Sequence, residues 1–141
     1  MSSIKIDLPQ NYIFETEIPI RITDMNYGGH LGNDVYLTII HEARAQFLKS
    51  HGYTEIDIEG VGAVVNNAAL VYKAQVFYGD LLTIKISLEN PGRMSCDFKY
   101  LLENTKTGKE VCRAQTGFVF FNYETGNIVE MPQKFRSFFE K

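Results

Sequence analysis

Between Ile13 and Ile22 apolar and polar positions alternate: Phe14, Thr16, Ile18, Ile20 and Ile22 fall on one side, Glu15, Glu17, Pro19 and Arg21 on the other. A period of two predicts a strand with one face on a core. Pro19 has no amide hydrogen to offer a neighbour, so this strand belongs at a sheet edge or carries a bulge there. From Asn33 to His51 the period changes. At about 100° per residue, Val35, Tyr36, Leu37, Ile39, Ile40, Ala43, Phe47 and Leu48 fill an arc of about 220°. Arg44 is the one charge inside that arc and Gln46 lies near its border, while Thr38, His41, Glu42, Ala45 and Lys49 lie outside. An arc that wide predicts a helix buried on most of its circumference, with Gly52 just past its end. Strand patterns follow over Val61–Phe77, Leu82–Leu88, Met94–Leu102 and Val111–Phe121, separated by turn residues at Tyr78-Gly79-Asp80, Asn90-Pro91-Gly92 and Asn104–Gly108. Pro132 opens a short last helix whose apolar face is Phe135, Phe138 and Phe139.

This order of one strand, one long helix and four strands predicts an α+β domain over 1–141. Its five-stranded antiparallel sheet curls around the helix, and a short helix closes the chain. The opposite sheet face still carries Val and Phe, and spare apolar surface on a small domain points to oligomerisation.

Composition narrows the function classes. The chain has 141 residues, 45% hydrophobic and 22% charged, with a formal net charge of −3, which excludes disordered and collagen-like chains. A mildly acidic balance without clustered Lys and Arg argues against nucleic-acid binding. No apolar run approaches the roughly 20 residues of a membrane span. MSSIKIDLPQ has no apolar leader core, so a cytoplasmic protein is expected. There Cys96 and Cys112 stay reduced, as buried small apolar residues. Two cysteines and three scattered histidines give no zinc spacing, and no metal is expected.

The chemistry concentrates in Thr23–Arg44, TDMNYGGHLGNDVYLTIIHEAR. This segment resembles the hotdog-fold acyl-CoA thioesterases of the 4-hydroxybenzoyl-CoA thioesterase type. That family shows Asp-x-Asp, then Gly-His-Val-Asn-Asn-x-x-Tyr, then a helix with Glu-Ala-Arg. Asp24, Gly29, His30, Asn33, Tyr36 and Glu42-Ala43-Arg44 stand at matching positions, and Tyr78-Gly79-Asp80, Thr125-Gly126 and Met131-Pro132 continue the likeness. The resemblance implies a sheet wrapped around a central helix, homodimers or homotetramers joined sheet to sheet, active sites at the dimer interface, and coenzyme A only as part of the substrate. The chain departs at two places: Asn26 stands where many members carry a catalytic carboxylate, and Gly32 replaces the first Asn. An amide is neither a base at neutral pH nor a good nucleophile.

The remaining residues suggest roles. A thioester carbonyl gains charge on attack, and a Gly-rich loop entering a helix offers free backbone amides and the positive end of the helix dipole. The amides from Gly29 to Gly32 are the expected cradle. His30 is the best proton carrier. Asp24 would orient it or a water, and Asn26 would place the water or bind the thioester. Glu42, if desolvated on the helix, would act as a base. Each has a plainer reading: Asp24 and Asn26 as turn formers, Asn33 as the helix N-cap, and Glu42 and Arg44 in structural ion pairs. Asn33, Tyr36 and Asn67, the last in an apolar strand, complete the substrate-binding set. Lys73, Arg93, Lys99 and Arg113 could meet coenzyme A phosphates, but their spacing selects none. Hydrolysis of an acyl-CoA or acyl-carrier-protein thioester is the expected function. A non-catalytic acyl-thioester binder and a hotdog 3-hydroxyacyl dehydratase are the alternatives.

Overall fold

The computed structural model describes residues 4–140, so residues 1–3 and 141 of the expected unit lie outside the described part. The elements are β1 (Phe14–Pro19), α1 (Val35–Ser50), β2 (Gly62–Tyr72), β3 (Leu81–Glu89), β4 (Ser95–Asn104), β5 (Glu110–Asn122), β6 (Asn127–Ile128) and α2 (Gln133–Arg136). They form an antiparallel sheet in the order β1-β3-β4-β5-β2, with β6 added to β5. The chain lays down β1, crosses the sheet as α1, and places β2 at the far edge before β3, β4 and β5 fill the gap between them.

Period two decides which strand residues meet α1. Leu82, Ile84 and Ile86 on β3, Cys96, Phe98, Tyr100 and Leu102 on β4, and Cys112, Ala114, Phe118 and Phe120 on β5 are buried. Tyr36, Ile39, Ile40, Ala43, Phe47 and Leu48 of α1 pack into the same core. Phe47 sits among the rings of Phe14, Phe98 and Phe138, at centroid distances of 5.7, 5.9 and 5.6 Å. Arg44, the charge inside the apolar arc, is also buried. Its Nη1 donates to the Tyr100 hydroxyl at 3.1 Å and its Nε to Glu55 at 3.1 Å, while Tyr100 and Thr116 share a hydrogen bond of 2.8 Å. Burial pushes the guanidinium down, but Tyr100 and Glu55 together hold it above its ordinary value. The buried charge is therefore paired and bonded, as a buried charge must be.

The structure differs from the sequence expectation in five places. β1 ends at Pro19 instead of continuing to Ile22, because a 3-10 turn over Ile22–Asp24 follows and leaves Ile22 66% exposed. β2 stops at Tyr72, well short of Phe77. The buried stripe of α1 is narrower than the arc, with Leu37 45% exposed in the single chain. The residue capping α1 is Asp34, not Asn33, and neither side chain bonds a helix amide. The last helix is one α turn, Gln133–Arg136, continued by a 3-10 turn over Ser137–Phe139. Pro19 lies on an edge strand, and Cys96 and Cys112 are buried free thiols, as expected.

Candidate active site

The loop from β1 to α1 is a small hairpin. Asp24 opens it: its carboxylate accepts the Arg21 amide at 2.8 Å and the Arg21 guanidinium at 3.2 Å. Met25 and Leu31 then pair, with the Asn26 amide donating to the His30 carbonyl at 3.0 Å and the Gly32 amide to the Asp24 carbonyl at 3.4 Å. At the tip, the Asn26 side-chain oxygen accepts the Gly28 amide at 2.8 Å and its carbonyl accepts the Gly29 amide at 3.2 Å. Gly29 has φ 76°, a left-handed conformation that suits glycine. Leu31 is buried beneath the hairpin and donates its amide to the Val76 carbonyl at 2.7 Å, tying the loop to the segment after β2.

These bonds correct the expected cradle. The amides of Gly28, Gly29 and Gly32 are consumed inside the loop, and that of Leu31 by the Val76 carbonyl. Among the described residues, the His30 amide is the one member of the expected cradle without an acceptor, and the amides of Asn33 and Asp34, just before α1, are free as well.

The loop also divides the expected residues between two clefts. One, of about 270 Å³, lies between β1 and α1 and contains Asp24 and Glu42. Asp24 is occupied by Arg21 there. Glu42 is exposed and accepts a hydrogen bond from Gln46 at 2.8 Å, so the burial needed to make it a base is absent from the single chain. The other cleft, of about 280 Å³, is lined by His30, Leu31, Asn33, Tyr36, Tyr72, Ala74 and Gln75 at the amino end of α1. Asn26 and Gly29 are exposed at the hairpin and Gly32 is buried under it; none of them lines either cleft. Asn67 is likewise outside both. It lies at the β2 bulge opposite Gly117 and donates to the Asn66 side chain at 2.8 Å.

The second cleft is the better site for chemistry, on account of Tyr36. This residue is only 3% exposed and lines the cleft, yet its hydroxyl makes no hydrogen bond among the described residues. Its edge meets the Tyr72 ring at 4.9 Å, and the Tyr72 hydroxyl donates to the Asn33 carbonyl at 3.3 Å. Burial foremost, then Cys112 and Tyr72, pushes the Tyr36 phenol up to about 12, so it stays a donor at neutral pH. An unused donor in a cleft that Asn33, with its free amide, also lines fits an anionic or polarised oxygen. His30 Nδ1 lies 3.3 Å from the Leu31 carbonyl; a carbonyl only accepts, so Nδ1 carries the proton and Nε2 keeps its lone pair. Among the described residues no cluster of three His, Cys, Asp or Glu could hold a metal ion.

Tyr72, Ala74 and Gln75 complete the wall and were not singled out from sequence. No local pattern marks them. They reach the site only because the chain leaves the sheet after Tyr72 and turns beneath Leu31.

A curled antiparallel sheet around one helix, with its cleft at the helix amino end, is the hotdog architecture of thioester enzymes. The chain belongs to the thioesterase-like superfamily, whose family model matches residues 20–139, and that membership places it among thioester hydrolases. It is 29% identical over 125 residues, 87% of this chain and 93% of the other, to a protein of Aquifex aeolicus (strain VF5) named "Putative esterase". Among solved structures, it resembles the 1,4-dihydroxy-2-naphthoyl-CoA thioesterase of Synechocystis with a TM-score of 0.81 at 19% identity, covering 89% of this chain and 93% of that one. It resembles the DHNA-CoA thioesterase of Staphylococcus aureus with a TM-score of 0.77 at 23% identity, covering 89% and 85%. At such identities these likenesses concern the fold. Among the described residues no helix is long and apolar enough to cross a membrane.

Proposed function

We propose that the chain hydrolyses an acyl-CoA thioester to the free acid and coenzyme A, at the cleft where α1 begins. The observation that carries this reading is the Tyr36 hydroxyl, which makes no hydrogen bond among the described residues, in a cleft also lined by Asn33, whose amide is free. The thioester carbonyl oxygen accepts from these donors, which stabilise the charge it gains on attack. Water attacks the carbonyl carbon and gives its proton to His30 Nε2. The C–S bond then breaks, and the imidazolium returns that proton to the leaving thiolate. Asp24 and Asn26 shape the hairpin in this scheme and do not touch the reacting atoms. Coenzyme A enters only as part of the substrate. The cytoplasm is the compartment assigned, where Cys96 and Cys112 remain thiols.

The working unit in this reading is a pair of chains joined along β2. The two sheet edges differ. β1 carries Glu15, Glu17 and Pro19, devices that blunt an edge. β2 is an 11-residue edge with an exposed stretch from Val65 to Ala68 and, apart from its bulge between Val65 and Asn67, no charge or proline to deter a second strand. Two copies of the β2 edge can pair about a two-fold axis.

Release of free thiol from a panel of acetyl, medium-chain, palmitoyl and aromatic CoA esters tests the activity, with His30→Ala as the reference. Turnover well above His30→Ala on at least one ester is expected. Saturable binding with no turnover on any ester would instead make the chain a binding protein. Light scattering coupled to gel filtration tests the pair, and a monomer at micromolar concentration would refute it.

A further inference from the structure

Tyr72 is the last residue of β2, paired with Cys112 on β5. Beyond it the chain leaves the sheet, and the Val76 carbonyl takes the Leu31 amide at 2.7 Å. Between Leu31 and α1 the Gly32 carbonyl accepts the Val35 amide at 3.0 Å, which makes Asn33 and Asp34 the middle residues of a tight turn. The bond of such a turn joins its outer residues and leaves the two middle amides unused. The free Asn33 amide thus has a local cause.

Tyr72 holds this turn from outside. Its hydroxyl donates to the Asn33 carbonyl at 3.3 Å, the one side-chain hydrogen bond to the backbone of Gly32–Val35 among the described residues. Its ring stands edge-on to the Tyr36 ring, with centroids 4.9 Å apart. Burial foremost, then Cys112 and Asp34, pushes the Tyr72 phenol upward, so the proton stays on at neutral pH. One side chain therefore contacts the backbone that carries one donor of the proposed site and the ring that carries the other. Tyr72 is 45% exposed, so water can replace its hydroxyl at the Asn33 carbonyl at little net cost in stability. What water cannot supply is the tie between the turn and the sheet.

We infer that Tyr72 is a positioning residue of the proposed site: its hydroxyl fixes the Asn33 turn to the end of β2 and its ring seats the Tyr36 phenol, so that both donors converge on one carbonyl oxygen. This rests on the function proposed above and adds a residue that its mechanism does not use. A donor to an oxyanion is effective only where the charge develops, and small displacements cost rate.

The test compares Tyr72→Phe, which keeps the ring and drops the tie, with Tyr72→Leu, which drops both, by thiol release from the esters that the wild type hydrolyses. Tyr72→Phe should lower kcat about tenfold, with KM within about twofold and the melting temperature within about 2 °C, because the donors act on the transition state. Tyr72→Leu should lose a further factor of about five, and in a Tyr36→Phe background that further loss should vanish, since the ring then has no hydroxyl to seat. An unchanged kcat in Tyr72→Phe, or a further loss that persists without the Tyr36 hydroxyl, would overturn the inference. A loss of roughly 10²–10³ in Tyr72→Phe would also overturn it, because Tyr72 would then be a donor to the substrate itself. Amide resonances of the isotopically labelled protein keep the two proposals separate. The Asp34 amide shares a peptide group with the Asn33 carbonyl, so Tyr72→Phe should move its proton upfield as that carbonyl loses a donor. If no ester is hydrolysed but this resonance moves and an ester of the panel binds Tyr72→Phe about fivefold more weakly than the wild type, the hydrolase reading fails and Tyr72 keeps its role. Undiminished ester binding in that case, or an Asp34 resonance at its wild-type position in any case, refutes it.

Discussion

Replacing Tyr36 by Phe deletes one oxygen from a side chain that is almost wholly buried and makes no hydrogen bond among the described residues. Stability should therefore change by no more than about 0.5 kcal/mol, since no internal hydrogen bond is lost. Catalysis should suffer heavily, because loss of one donor to a developing oxyanion costs roughly 10²–10³ in kcat, or about 2.7–4 kcal/mol of transition-state stabilisation. Tyr100→Phe is the matched control. The same atom is deleted, but Tyr100 bonds Arg44 at 3.1 Å and Thr116 at 2.8 Å inside the core. Leaving those groups short of a partner should cost about 1–3 kcal/mol of stability, with kcat within about threefold of the wild type in the folded enzyme. Urea unfolding and initial rates of thiol release measure the two quantities. A folded Tyr36→Phe enzyme that keeps more than about a third of the wild-type kcat would refute the donor role. A Tyr36→Phe stability loss as large as that of Tyr100→Phe would show that the hydroxyl has an internal partner.

Gly62→Ala should destabilise by about 1–3 kcal/mol in thermal or urea unfolding. A Cβ there collides with the Tyr123 ring, whose hydroxyl bonds the Ala63 carbonyl at 2.9 Å. Asn26→Asp keeps the oxygen that accepts the Gly28 amide and should leave the melting temperature unchanged, whereas Asn26→Ala should cost about 1 kcal/mol; a rate gain above about tenfold in the Asp variant would mean that this position reaches the thioester. Stability should fall as pH rises above about 9. Burial pushes Cys112 up to about 12 from 9.0, Tyr36 up to about 12 from 10.0, and Cys96 upward as well. Between the ordinary and raised values the unfolded chain has lost protons that the folded chain still holds, so the unfolding free energy decreases with pH. Denaturant midpoints at pH 8, 9.5 and 11 check this, and Cys112→Ala should flatten the fall.

The fold was legible wherever burial imposes a period. β3, β4 and β5 alternate because one face meets α1, and the helix pattern from Asn33 to His51 brackets Val35–Ser50. It failed where the chain ends an element for a reason outside the pattern. Ile20 and Ile22 continue the alternation, but Asp24 caps a 3-10 turn on Arg21 and takes the backbone out of the sheet. Val76 continues an apolar run, but its carbonyl serves the Leu31 amide. The two-residue β6, formed where Gly126 adopts φ 77°, is too short to show a period. The site was half legible. His30, Asn33 and Tyr36 come together at one cleft, but Asp24 and Glu42 lie on the other side of the loop. Spacing along a chain cannot reveal that a hairpin spends its own amides on itself.

Pro19 has a consequence for assembly as well as for β1. In the pair proposed above, both β2 margins are hidden at the centre, and each outer margin ends in the prolyl-bearing strand with its outward glutamates. Such ends repel further strands. Accretion along the hydrogen-bonding direction halts at two copies, so any larger particle must grow by stacking faces and not by lengthening the ribbon.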